Sequence, residues 1–313
     1  MNTRIYCDKS ISSIRSHLEK RGYKYITYPK FIFLCGKGFD MTIKDSYWSS
    51  NRGIIHRYIS KLLPDANIVL SEQMWEDGFN NSIDLLTFEE FLAEVSDAII
   101  LFVESPGSFC ELGAFAYADA LFSDKLIVVM DEKYRGSRSF ISTGPALKAK
   151  DDGSKVVFAQ TENGALLASQ ELRLEITGLV ETIKMKQSQT NKRLVNENGN
   201  KVYISSFIVE FLELLRIVQP ISVTDLLQLY KLVKGFNSFT FVKRTGEEFK
   251  REIKIGYILK LLQNSGIIEE EASIIRLCNH KKTQNLMLKY YGNAMEKERN
   301  RLICRKYRYG GYV

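Results

Sequence analysis

The stretch AIILFVESPGSFCELGAFAYA, residues 98–118, runs without a break from an apolar segment into a helix-forming one. Ala98 to Val103 show no polar alternation, which suits a strand covered on both faces. Pro106 fixes its own φ and pushes Ser105 toward an extended shape, while Gly107 permits a sharp turn. Ser108 is placed to cap the following helix, and Glu111, three residues on, completes a Ser-x-x-Glu capping box. That is a purely structural reading of Glu111. A chemical one follows from position, because the amides of Gly107, Ser108 and Phe109 at a helix N-terminus would attract an anion such as a phosphate. The same field would keep a first-turn carboxylate ionised, as a nucleophile requires. Glu104, at the end of the strand, is the natural second carboxylate. Sugar chemistry with retention needs two carboxyl groups about 5 Å apart.

Similar apolar runs lie on either side. KFIFLCGKGFD gives a strand over Phe31 to Cys35, followed by Gly36 and Gly38, and ANIVLSEQ gives a second. KLIVVMD and KVVFAQ supply a fourth and a fifth. Helical patterns separate them, over residues 10–22 (Ile11, Ile14 and Leu18, stopped by Gly22), 52–63, and LLTFEEFLAEVSD. In the last, Leu86, Phe88, Phe91, Leu92 and Val95 fall on one side. Continuous apolar strands alternating with helices predict an α/β fold, a doubly wound parallel sheet. Ligands of such sheets bind beyond the carboxyl ends of the strands, so the loops after Cys35, Leu70, Val103 and Met130 matter. Among their residues, Gly36 and Gly38 would let backbone approach a ligand. Glu72 would bind a ribose hydroxyl or base, or be a solvated loop acid. Arg138 would meet a phosphate, or form an ordinary salt bridge. Asp97 sits at the opposite end of its strand and reads as structural. The three histidines are scattered, so no metal site is expected.

The 313 residues carry a net charge of +7, unevenly placed. Residues 201–313 hold 20 Lys and Arg against 11 Asp and Glu, whereas residues 1–200 hold 24 against 26. A basic second part suits a polyanionic partner. No apolar run approaches the roughly 20 residues of a membrane helix, and the N-terminus has no apolar signal region. Five cysteines without paired spacing suggest no disulfide framework. A cytoplasmic location is the expectation, without membrane contact.

Past residue 165 the pattern changes. A helical stretch and the polar segment QTNKRLVNENGNK read as a connector over 166–200. Then ISSFIVEFLELLRIV, SVTDLLQLYKLVKG and TGEEFKREIKIGYILKLLQNSG read as three helices, and IIEEEASIIRL as a hairpin. Three helices and a hairpin is the winged-helix order. Lys243, Arg244, Lys250, Arg251, Lys254 and Lys260 line or precede the third helix, as phosphate-contacting side chains would. Arg305, Lys306 and Arg308 interleave with tyrosines in the tail, a combination that grips phosphate and stacks on bases.

ILFVESPGSFCELGAFA resembles the signature of nucleoside 2-deoxyribosyltransferase-like proteins, in which a strand enters a Gly-Thr/Ser-x-x-Glu-Leu-Gly turn. The resemblance implies that Glu111 is the nucleophile on the sugar C1′ and that Gly107 and Ser108 hold the substrate's hydroxyl or phosphate end. The metabolic enzymes place an aspartate where Ser105 stands, so Ser105 lines the substrate site and Glu104 supplies the second carboxylate from one position away. The phrase ESPGS-x-x-ELGAF, the leading IFLCG and RSFI-x-x-GP over Arg138 to Pro145 resemble more closely the effector proteins encoded beside retron reverse transcriptases. That resemblance implies a catalytic domain over 1–165, the connector over 166–200 and a winged-helix DNA-binding domain over 201–313. It implies an antiviral toxin hydrolysing NAD or another nucleotide through a covalent ribosyl–Glu111 intermediate, without metal or redox cofactor. The partners implied are the retron reverse transcriptase and its branched RNA–DNA (msDNA), with a homo-oligomer or a higher assembly formed alongside them. The alternative is a DNA-binding regulator whose α/β domain senses a nucleotide without catalysis.

Overall fold

The computed structural model describes residues 11–12, 14–16, 24–25, 29–40, 42–43, 45–75, 83–117, 122, 124–162, 164–188, 200–278 and 288–289. The chain divides into two compact units, residues 29–186 and residues 187–313 joined by 1–28. No helix among the described residues is long and apolar enough to cross a membrane.

The first unit is built on five parallel strands, β1 (Lys30–Cys35), β2 (Ala66–Val69), β3 (Ala98–Val103), β4 (Leu126–Asp131) and β5 (Lys155–Ala159). Their order is β2-β1-β3-β4-β5. The chain therefore reverses its winding between β1 and β3, the switch point beyond whose strand ends doubly wound sheets hold their ligands. β1, β3 and β4 are buried along their whole length, as their unbroken apolar runs require. Ile32, Leu34, Ile100, Phe102, Ile127 and Val129 project to one face, at the two-residue period of a strand. Ile55 and Ile59 of helix α1 (Asn51–Leu62) cover that face. Each such buried side chain contributes about 1.5–3 kcal/mol of transfer free energy.

A long helix completes this layer. Its Leu172, Ile176, Val180 and Ile183 lie in the same core as the sheet. Residues 170–186 of the helix Gln170–Ser188 thus fall in the α/β unit, which extends past the expected start of a connector at residue 166. On the helix Leu85–Val95, Phe88, Phe91 and Leu92 are buried as expected, but Leu86 is 63% exposed. Lys125, only 2% exposed, donates from Nζ to the Ala93 and Ser96 carbonyls at 2.5 and 2.8 Å. A cation there satisfies carbonyls that the end of this helix leaves orphaned. Asp97 accepts from the Phe31 amide at 3.0 Å, the structural role expected at that end of the sheet.

In the second unit, helices Ile204–Val218, Val223–Lys234 and Ile255–Asn264 are followed by the hairpin Ile268–Glu271 and Ile274–Leu277. The strand Ile221–Ser222 adds a third, antiparallel member to that hairpin. The hairpin turns through Ala272 and Ser273, both at positive φ, the handedness that matches strand twist. Tyr203 and Val242 end a separate parallel pair, Lys201–Tyr203 with Thr240–Val242. The sequence pattern predicts neither the third strand nor this pair.

The third helix starts at Ile255 rather than near residue 245. Gly246 takes φ +87°, its amide closes a turn onto the Lys243 carbonyl at 2.8 Å, and Val242 bridges Glu248. Lys250, Arg251 and Lys254 therefore lie on exposed irregular backbone ahead of the helix, and Lys260 alone of the six basic residues sits on it. Lys243 is not a surface contact. It is 9% exposed, with its ammonium 5.7 Å from the Phe249 ring. Leu18, Gly22, the linker residues 189–199 and the tail bearing Arg305, Lys306 and Arg308 lie outside the described residues.

Candidate active site

The helix after β3, Pro106–Tyr117, begins two residues before Ser108. Ser105 is its cap. The Ser108 amide donates to Ser105 Oγ at 3.3 Å, and Ser108 Oγ accepts from the Ser105 amide at 2.9 Å. This is the reciprocal arrangement of a capping box, with serine at both ends. Ser108 Oγ is fully buried, also accepts from the Glu104 amide at 2.9 Å, and donates to the Ser105 carbonyl at 2.9 Å. The expected Ser108–Glu111 box is thus displaced by one turn, and Glu111 takes no part in capping. The Ser108 and Phe109 amides are likewise engaged by Ser105, so they are not the open anion cradle that the sequence suggests. Gly107 is exposed at the head of the helix.

Released from the cap, Glu111 lies on the second turn of the helix. Its side chain is half-buried, and Oε2 is enclosed without a hydrogen-bond partner among the described residues. Burial, then the charge of Glu72, raises its pKa to about 7, against the opposing pull of Arg52. The expectation of a carboxylate held ionised by the helix field is therefore reversed. Desolvation and a like charge outweigh a dipole that fades beyond the first turn.

Glu104 is not the carboxylate that acts on Glu111. Its Oε1 accepts from the Lys37 amide at 3.2 Å, and its Oε2 from Asn51 Nδ2 at 2.6 Å. The same Asn51 amide nitrogen donates to the Thr161 carbonyl at 2.9 Å, so Glu104 ties together the ends of β1, α1 and β5. Gly36 serves this frame. It has φ +152°, and a Cβ there would come within 3.1 Å of Phe102 Cβ and 3.2 Å of Glu104 Oε1. Its close approach is to the protein itself. Gly38 has open space around it.

The acids that do act on Glu111 come from elsewhere. Glu72 lies on a short helix, Ser71–Trp75, paired with Arg52 at 2.8 Å, so it is not a solvated loop acid. Arg52, at the start of α1, is 1% exposed. Its Nη2 donates to the Lys37 carbonyl at 2.5 Å, its guanidinium lies 5.2 Å from the Phe39 ring, and its Nε is enclosed without a partner. Glu89 is 5% exposed, and burial followed by Glu111 and Glu72 raises its pKa to about 8. Burial, Glu111 and Glu89 also push up the Cys35 thiol at the end of β1. Three carboxyl groups and one guanidinium thus surround the switch point of the sheet. None of the described His, Cys, Asp and Glu form a group of three placed to hold a metal.

Sequence reasoning misses Arg52, Asn51 and Glu89. Each sits in a helix whose pattern otherwise reads as ordinary, and only the fold brings them to the β1–β3 crevice. Arg138 lies apart, exposed in the loop after β4 and without an ion pair among the described residues. An open hollow of about 820 Å³ adjoins α1, lined by Asp45, Trp48, Ser49, Ile54, Arg57 and Gly164. None of those residues belongs to the carboxyl cluster.

A carboxylate with one unclaimed oxygen, at the mouth of a doubly wound sheet, is equipped to attack or to exchange a proton. The chain is 33% identical over 220 residues to the "Retron Ec86 putative ribosyltransferase/DNA-binding protein" of Escherichia coli, covering 67% of this chain and 68% of that protein. It is 35% identical over 120 residues to the "Retron Ec73 putative ribosyltransferase/DNA-binding protein" of Escherichia coli, covering 37% of this chain and 36% of that one. The profile of the STM3845 retron effector protein family matches residues 48–270, from ahead of α1 to the hairpin of the second unit. The chain belongs to the STM3845 retron effector protein family.

Proposed function

We propose that the α/β unit is an N-glycosidase opening the glycosidic bond of NAD or another nucleotide, with Glu111 as nucleophile. The observation that carries this reading is the enclosed, unpartnered Oε2 of a carboxylate that no structural role claims. Buried polar atoms are nearly always satisfied, and exceptions cluster where a ligand or reaction completes them. One oxygen of Glu111 attacks C1′. The C1′–N bond breaks, its electron pair leaves with the base, and a C1′–O ester bond forms. Water then attacks C1′, the ester C–O bond breaks, and the carboxylate is restored as the surplus proton passes to solvent. Nicotinamide leaves without needing a proton, since its ring nitrogen is cationic in NAD. A purine or pyrimidine leaves more readily with one, and Glu89, with a pKa of about 8, holds a proton at neutral pH. Ser105 and Ser108 build the turn, Gly107 stands at its open edge, and Glu104 frames the mouth.

The second unit is, in the same proposal, a winged helix that docks the effector on retron msDNA and reverse transcriptase, within a larger assembly. Its order of three helices, an inserted strand and a hairpin supports this. Exposed Arg244, Lys250, Arg251 and Lys254 offer phosphate contacts ahead of the third helix. The hairpin carries Glu269, Glu270 and Glu271, all exposed, so the basic loop rather than the wing meets nucleic acid. The complex restrains the enzyme until infection disturbs it, and nucleotide depletion then halts the cell.

Free base released from NAD, ATP and dNTPs, with and without reverse transcriptase and msDNA, is the test. Release that disappears in Glu111→Gln supports the reading; no release in any condition removes it. The rival regulator predicts duplex binding with sequence preference and unchanged behaviour in Glu111→Gln.

A further inference from the structure

Two buried polar atoms of the carboxyl–guanidinium cluster lack partners among the described residues, and they are chemically complementary. Glu111 Oε2 accepts hydrogen bonds, and Arg52 Nε–H donates one. Arg52 acts electrostatically on Glu111, and both act on Cys35 at the end of β1. A lone buried donor or acceptor is costly, and an enzyme that leaves both in one crevice leaves them for a group able to satisfy both. A hydroxyl does so: it donates to a carboxylate oxygen and accepts from a guanidinium N–H.

Position on the sugar narrows which hydroxyl this is. When one oxygen of a carboxylate attacks C1′ from the face opposite the base, the other oxygen lies over the neighbouring carbon. In a ribose, the 2′-hydroxyl stands on that face. Hydrogen bonds to the corresponding hydroxyl strengthen in the transition states of retaining glycosidases. Arg52 is in turn immobile, clamped by Glu72, the Lys37 carbonyl and the Phe39 ring, so Nε points in a fixed direction.

We infer that Arg52 Nε and Glu111 Oε2 together read the 2′-hydroxyl of the substrate, so that the site takes ribonucleotides and rejects their 2′-deoxy counterparts. This rests on the glycosidase reading and adds a substrate class and a specificity-determining residue to it. A site built to hydrogen-bond a hydroxyl discriminates far more strongly than one that only encloses it, because the analogue leaves buried groups unpaired.

The experiment measures base release by the full chain from matched pairs, ATP against dATP and CTP against dCTP. The expected result is a kcat/KM at least about 100-fold higher for each ribonucleotide. Arg52→Lys keeps the positive charge but removes the fixed N–H, and is expected to shrink the ribo-to-deoxy ratio of kcat/KM toward one, whatever it does to the absolute rates. Equal cleavage within each pair would overturn the inference while leaving the glycosidase intact, as would an unchanged ratio in Arg52→Lys. If the variant does not fold, the paired substrates on the unaltered protein decide the matter. Release from neither member of any pair removes the glycosidase reading and this inference with it.

Discussion

In the second unit, Glu210 and Glu213 are buried at 7% and 3% exposure inside the helical layer. Glu210 accepts from Tyr230 Oη and Lys234 Nζ, both at 2.9 Å, and Glu213 is held by Arg216 one turn along its helix. In the α/β unit, Glu111 and Glu89 are also largely enclosed, yet burial and then neighbouring carboxyl groups (Glu72 for Glu111, Glu111 and Glu72 for Glu89) raise both pKa values. The first pair of acids is matched to its surroundings and fixes how helices sit. The second pair is packed against like charges at a switch point, with an acceptor left over. Burial of a carboxyl therefore says little about function until its partners are counted.

The contrast breaks most sharply at Glu111. Glu111→Gln keeps size and burial but cannot form the ester, and base release should fall by at least about 1,000-fold, measured under single-turnover conditions. Activity surviving within tenfold would place Glu111 with the structural acids after all. Next in size is Glu210→Ala, which takes the acceptor from the buried Tyr230 hydroxyl and the half-buried Lys234 ammonium. A loss of about 3 kcal/mol in urea unfolding is expected, with base release by the still-folded protein unchanged.

Acidity gives the third test. Glu111 must be ionised to attack, so kcat/KM should drop roughly tenfold per unit as pH falls below about 7. Stability runs the other way. Both acids bind protons more tightly folded than unfolded, so their contribution is fully present below the ordinary value of 4.5 and is lost as pH rises through about 7 and 8. Glu111→Gln removes its share of that loss, and its Tm at pH 8 should exceed that of the unaltered protein by a few degrees. The smallest expected effect is at the cap, where Ser105→Ala should cost about 1 kcal/mol.

The β1, β3 and β4 strands were readable in advance because strands buried on both faces must be apolar at every position. The carboxyl cluster was legible only at Glu111 and Glu72, which follow strands, because Arg52 and Glu89 come from within helices where nothing local marks a charged side chain that will turn inward. The capping register was ambiguous for a specific reason. Ser105 and Ser108 are both good caps three residues apart, and Glu111 three further on satisfies the same pattern. Pro106 settles it, since proline favours the first helical position. The segment before Ile255 misled for the opposite reason. Phe249, Ile253 and Tyr257 recur every four residues and are buried, as on a helix, yet Gly246 and the bridge from Val242 to Glu248 hold residues 243–248 in a turn.

The two-serine cap has a further consequence. Because Ser105 and Ser108 finish the helix between themselves, its cap does not depend on what stands at position 111. Chemistry and architecture are separable here by a single codon. On the proposed function, a copy without the Glu111 carboxylate would fold and still dock beside its partners. In a mixed population such a copy would compete for docking sites while contributing nothing to nucleotide loss.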